Sequence, residues 1–146
     1  MDTPDVLSVI AIVIAILSAV YQWRNDMKLN TINLEAEYFK KIYEEHLLYK
    51  LPQARKYIFF QGNRLKDYEK LMDELNEIRN ASLYFLYSDK KFYDELKLVL
   101  QDLEDYLGNC GNQEITDGNQ EIVLKEIQEK IQEIYSTIIR KYHGKM

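Results

Sequence analysis

Cysteine is almost missing from this chain: Cys110 stands alone in 146 residues. One thiol cannot form an internal disulfide, which fits a reducing cytoplasm. Histidine is nearly as scarce, with His46 and His143 far apart and neither close to Cys110 in sequence. They read as packing or surface residues, and nothing marks a metal site. The glycine-rich loops GxGxxG and the P-loop are absent, as is the GxSxG elbow. There is no lipidation motif, internal repeat or low-complexity tract. Basic charge is also short, with 19 Lys and Arg against 24 Asp and Glu and a net charge of -5. That balance argues against a protein that coats nucleic acid, but it leaves room for a local basic pocket. The expectation is therefore a protein that is not an enzyme, with no catalytic residue, cofactor or metal.

What the chain has is one uninterrupted apolar run, VLSVIAIVIAILSAV at residues 6–20. With its flanks it reaches the roughly 20 residues that a helix needs to cross a hydrocarbon core. A secretory signal should open with basic residues and end at a small-residue cleavage site. Here the start is Met1-Asp2-Thr3-Pro4-Asp5, and Arg24 and Lys28 lie on the far side. Tyr21 and Trp23 suit the interface belt, and the Lys/Arg asymmetry puts the C-terminal side in the cytoplasm. A core helix of a soluble protein should show one polar face, and this run shows none. The expectation is an uncleaved single-pass anchor over residues 1–23 and a cytoplasmic helical domain over residues 24–146.

Small and weakly polar residues in the run keep a heptad spacing: Ser8, Ala11, Ala15, Ser18 and Gln22, continued by Asn25. Lipid gives no hydrophobic drive for helix association, so membrane helices meet where small residues permit close approach. The stripe predicts a helix–helix interface, most simply with other copies of the chain, in a left-handed bundle. In a bundle of four or more copies, Ser8, Ser18 and Gln22 could line a narrow path for water or ions. Tight packing without a pore fits the same stripe, as does chance alignment of common membrane residues.

Beyond Trp23 the pattern stays helical to about Leu51, with a bend allowed near residues 30–33; Pro52 interrupts it and fits the first position of a short helix. The cluster Tyr57-Ile58-Phe59-Phe60 reads as buried, and Gln61-Gly62-Asn63-Arg64 as a turn. A strand at residues 57–60 has no evident partner. Leu65, Tyr68, Leu71, Met72, Leu75 and Ile78 predict a helix over residues 66–87. Asp89 with Ser88 offers a cap for the next helix, which Gly108 should end. The two should form an antiparallel hairpin. Residues 108–119 read as a flexible loop. A heptad of Leu124, Ile127, Ile131, Ile134 and Ile138 predicts the last helix, over residues 121–142, packing chiefly within the chain. The fold class expected is all-α.

The adjacent acids Glu44-Glu45, Asp73-Glu74 and Asp94-Glu95 read as solvated faces, because neighbours on a helix do not face each other. Basic residues near turns and helix ends are more suggestive. Arg55, Lys56, Arg79 and Lys91 lie among Tyr57, Tyr84, Tyr87 and Tyr93. Arginine offers a planar fork for phosphate, and tyrosine rings stack on bases. These four are the candidate anion or nucleotide ligands; the plainer reading is surface cations paired with nearby acids.

The segments YQWR at residues 21–24, NLEAEYF at 33–39, LPQARKYI at 51–58, IRNASLYF at 78–85 and LEDY at 103–106 follow the anchor in order. In this order of features the chain resembles small single-pass bacterial membrane proteins of phage abortive infection. It is similar, among them, to the HalA family of membrane effectors in the Hailong anti-phage system. The resemblance implies a homo-oligomeric effector, here a tetramer as the working copy number. It implies an inner-membrane protein, N-terminus outside, that compromises the bilayer. It also implies a short oligonucleotide, made by a partner nucleotidyltransferase, that binds the cytoplasmic part and holds the effector inactive. No ligand residue carries over from the family. The alternative is a membrane-tethered scaffold or superinfection-exclusion protein that conducts nothing.

Overall fold

In a computed structural model, the backbone is described for residues 3–144 and the side chains for residues 6–144. Met1 and Asp2 of the acidic start lie outside that range. By internal contacts the chain divides into two units, Met1–Glu37 and Tyr38–Met146.

The first unit is helical throughout its described residues and belongs to α1 (Thr3–Lys41). It holds an apolar window long enough to cross a membrane, none of which is buried. Every side chain from residue 6 to 34 is exposed. No break occurs at Asn30 or Asn33. The Thr31 hydroxyl donates to the carbonyl of Met27, four residues back on its own helix, at 3.0 Å.

The second unit starts inside the last turn of α1 and passes into a π-helical segment, Ile42–Lys50. Its wider turn is visible at the exit, where the Leu51 amide donates to the His46 carbonyl five residues back. The short helix α2 (Leu51–Lys56) follows with Pro52 in its first turn. The helical path does not stop near Leu51: Pro52 opens α2, the place in a short helix expected for it, and helical backbone continues without a gap to Lys56.

Next comes an antiparallel hairpin, β1 (Phe59–Gln61) with β2 (Arg64–Lys66), in the register Phe60 opposite Leu65. Gly62 turns it with φ of 61°, the positive value that a first turn residue of the II′ kind needs. The missing strand partner was the sequence immediately after the turn. Strand alternation also corrects the expected burial of residues 57–60. Ile58 is buried, whereas Tyr57 and Phe59 are exposed.

The expected helix over residues 66–87 is two helices, α3 (Glu69–Ala81) and α4 (Leu83–Ser88). The break is at Ser82, whose buried hydroxyl donates to the Arg79 carbonyl at 2.8 Å. Such local bonding competes with the helical ladder. Asp89 caps α5 (Lys90–Gly111) as expected, accepting from the Phe92 amide at 3.2 Å. Gly108 does not end α5; the helix runs three residues further, to Gly111. A Cβ on Gly111 would lie 2.2 Å from the outer end of the Tyr68 ring, so a larger residue there would require that ring to move.

The connection to α6 (Asp117–His143) is short and tied down. The Ile115 amide donates to the Asn63 carbonyl at 2.7 Å, and Gln120 Nε2 donates to the Gly62 carbonyl at 2.8 Å. Residues 108–119, expected as a loop, are therefore partly helix and partly a strap over the hairpin turn. α6 packs along α5 within the chain. Leu96, Leu100, Leu103 and Leu107 on α5 belong to one core with Ile127, Ile131, Ile134 and Ile138 on α6 as expected, but at the start of that seam Val123 is the buried residue and the expected Leu124 is only half-buried.

Candidate functional site

The π-helical segment and α3 bring together the most unusual chemistry in the second unit. Ile42, His46 and Leu47 are the buried residues of the π segment. A π-helix puts about one extra residue into each turn, is rare, and is frequently found at functional sites. Here its inward face carries His46, which is 3% exposed. Across from it is Glu74 of α3, 6% exposed. His46 Nδ1 and Glu74 Oε1 are 2.6 Å apart. A carboxylate this deep is costly unless a proton or a cation compensates it.

The reading of Glu74 as part of a solvated acidic pair is corrected. Leu71, Glu74, Leu75 and Ile78 are all buried on one stripe of α3, and that spacing of three and four was the signal that could have shown it. Asp73 alone stays outside.

Around this pair lies a polar rim. Lys50 Nζ bridges Glu45 at 2.9 Å and Glu77 at 2.7 Å. These hydrogen bonds hold the Lys50 ammonium well above its ordinary value and pull both glutamates below theirs. Donor atoms of His46, Glu74 and Glu77 all fall within 4.8 Å of one another. In addition, the Tyr135 hydroxyl of α6 donates to the Leu47 carbonyl, which anchors the π segment from the other side.

The sequence-predicted anion ligands are placed separately. Arg79 gives its guanidinium to Glu104 of α5, in a half-buried ion pair, and its Nε is buried without a partner among the described residues. Arg55 on α2 also has a buried, unpartnered Nε, and burial lowers its guanidinium from the ordinary value. Lys56 is exposed at the end of α2. Lys91 is exposed and lines a cavity of about 360 Å³ with Asp89, Phe92, Glu95, Thr137, Arg140 and Lys141. Arg55, Lys56 and Arg79 are not in that cavity. Lys141 there pairs with Asp89 and lies within cation–π reach of Phe85 and Phe92.

A second cavity, about 370 Å³, is lined by Tyr38, Lys41, Asn80, Ala81, Leu83, Tyr84 and Tyr87. Tyr38 and Tyr84 stack with centroids 4.3 Å apart, and Tyr87 is 90% exposed. Sequence reasoning named Tyr84 and Tyr87 as neighbours of the basic residues but missed Lys41, which is on a different element. Ser8, Ala11, Ala15, Ser18 and Gln22 all lie on α1 with exposed side chains.

Cys110 is buried, and burial raises its thiol above the usual range, so it is a poor nucleophile. No family model, no curated protein and no solved structure matches the chain.

Proposed function

We propose that the chain is a transmembrane effector of anti-phage, abortive-infection defence. In this reading it is an oligomeric membrane pore or channel, held inactive by a nucleotide or oligonucleotide bound to its helical domain. One observation carries the reading: the apolar window of α1 has no buried residue. A helix with that surface needs lipid or another helix to cover it. Arg24 and Lys28 after the span support a cytoplasmic side for the helical domain, and the bacterial inner membrane follows from the resemblance. The Ser8, Ala11, Ala15, Ser18 and Gln22 stripe is where copies meet, as a tetramer in the simplest case. The defence context and the partner nucleotidyltransferase come from the resemblance to the HalA effectors.

The tyrosine cavity supports the ligand part of the reading. It offers ring faces for bases, the Lys41 ammonium for phosphate and the Asn80 amide for hydrogen bonds. A ligand that prefers the closed assembly holds the bundle shut, and its removal releases it.

The test is ion flux from liposomes carrying the purified chain, with growth arrest on expression as the cellular counterpart. Ala15→Leu and Ser18→Leu should abolish both and change the oligomer. A wild-type protein that has been stripped of bound nucleic acid by nuclease, inserts and still gives no leak is a scaffold, and the pore reading falls. Copurifying nucleic acid, lost on Lys41→Glu, checks the ligand part.

A further inference from the structure

We propose that His46, Glu74 and Glu77 form a site for a divalent transition-metal ion, with Zn²⁺ the ion that fits best, joining the π-helical segment to α3. The first argument is geometric. The three donor atoms lie within 4.8 Å of one another. A zinc ion holds nitrogen and carboxylate oxygen at about 2.0 to 2.2 Å, so small side-chain movements would bring all three onto one ion. Glu74 and Glu77 are three residues apart on α3 and share a face, a spacing that helical bundles use to build carboxylate metal sites. His46 approaches from the other element, carried inward by the π-helical turn.

The second argument is burial. His46 and Glu74 are more than nine-tenths buried, while the Glu77 side chain is 54% exposed. Two ligands are thus held in place by the core and the third opens to solvent, giving an entry path and room for a water ligand. The third argument is charge. Glu45, Glu74 and Glu77 bring three carboxylates, and Lys50 brings one ammonium. The acidic groups thus outnumber the one ammonium around a buried carboxylate, a surplus that an added cation would offset. Imidazole with two carboxylates favours zinc over magnesium or calcium, which prefer oxygen alone.

Lys50 gives the site a character that a merely structural cluster would lack. Its ammonium sits on Glu77, so metal entry must displace it. Lys50 is then a competitor, and removing it should tighten binding. A metal-filled site would hold the π-helical segment, the direct continuation of α1, against the core. The proposal uses residues separate from those assigned to the nucleotide ligand and does not depend on that reading.

The experiment is calorimetric titration of the metal-free full chain in detergent with Zn²⁺ alone, alongside thermal melts. One ion should bind per chain and raise the melting temperature. Glu77→Gln, whose side chain is exposed and whose loss should leave the fold intact by circular dichroism, should weaken binding at least about tenfold. His46→Gln should abolish binding, and Lys50→Met should strengthen it. Two results would overturn the site. One is no binding by either wild type or Lys50→Met. The other is binding that survives both Glu77→Gln and His46→Gln unchanged, which would mark adventitious surface ions.

Discussion

The two units use the same residue types in opposite ways. In α1, Leu7, Ile12 and Leu17 are 67%, 59% and 64% exposed. In the helical domain, Leu71, Leu75, Leu96 and Leu100 are all at 0%. Leucine and isoleucine supply the apolar surface in both. What differs is the spacing. Residues 6–20 are apolar all round, apart from a stripe of small residues, so no fold of a single helix can cover them. In α5 and α6 apolar residues recur every three or four positions, so two helices cover each other. The first unit needs an environment, whereas the second makes its own.

Four sets of substitutions test that contrast, and the largest effect comes from the core. Phe85 is 1% exposed and packs edge-on against Phe92 at 5.0 Å between centroids. Phe85→Ala should cost about 3–5 kcal/mol in the unfolding of the helical domain. Leu17→Ala, by contrast, should leave the domain's denaturant midpoint unchanged. If Leu17→Ala destabilised the domain equally, the division into self-covered and uncovered units would be wrong.

Second is the buried pair. His46→Leu leaves Glu74 without compensation and should cost about 3 kcal/mol. The double variant His46→Leu with Glu74→Leu should recover most of that, because an apolar pair of similar volume needs no partner. Chemical denaturation of the single and double variants measures the coupling.

Third, Gly111→Ala should cost about 1–3 kcal/mol, because the new Cβ meets the Tyr68 ring. Gly108→Ala is the comparison. Nothing lies within 4 Å of its Cβ position, so it should be neutral or slightly stabilising as helix propensity improves.

The smallest effect is at Asp89. Loss of the cap in Asp89→Ala should cost about 1 kcal/mol. Burial works against ionisation of Asp89, but the Lys141 ammonium and the Phe92 amide outweigh it and hold the carboxyl below its ordinary 3.8. The sign follows from linkage. A depressed carboxyl contributes stability that is complete above 3.8 and is lost as the pH falls through the lower folded value. Asp89→Ala should therefore differ from wild type at neutral pH and converge with it in strong acid, as read from melts across that range.

Much of the helical domain was legible because its helices are amphipathic. The seam of α6, the Asp89 cap and the turn at Gly62 all follow from local spacing and residue type. Helix ends were less legible. Gly108 looked like a stop, yet α5 runs on to Gly111, and it is at Gly111 that a Cβ would meet the Tyr68 ring. The strand partner at residues 64–66 was missed because three residues are too few for a period-two pattern to stand out.

The candidate site was the least legible feature. Glu74 looked solvated because Asp73 precedes it, and nothing local tells which of two adjacent acids points inward. His46 looked isolated because its partner is 28 residues away. Lys41, Asn80 and Tyr84 likewise meet in one cavity from separate elements. Arg79 looked available for an anion until Glu104 on α5 was placed beside it.

The amino-acid sequence by itself determined that the chain is helical, that one stretch is apolar enough to need an outside cover, and that small residues line one side of it. Those properties depend on composition and on spacings of three and four residues, which are local. The tertiary structure alone decided that Glu74 is buried against His46, that a π-helical segment presents that histidine, and that Lys50 guards the outer carboxylate. Those are contacts between residues distant in sequence, set by how π segment and α3 pack, and no local period encodes them.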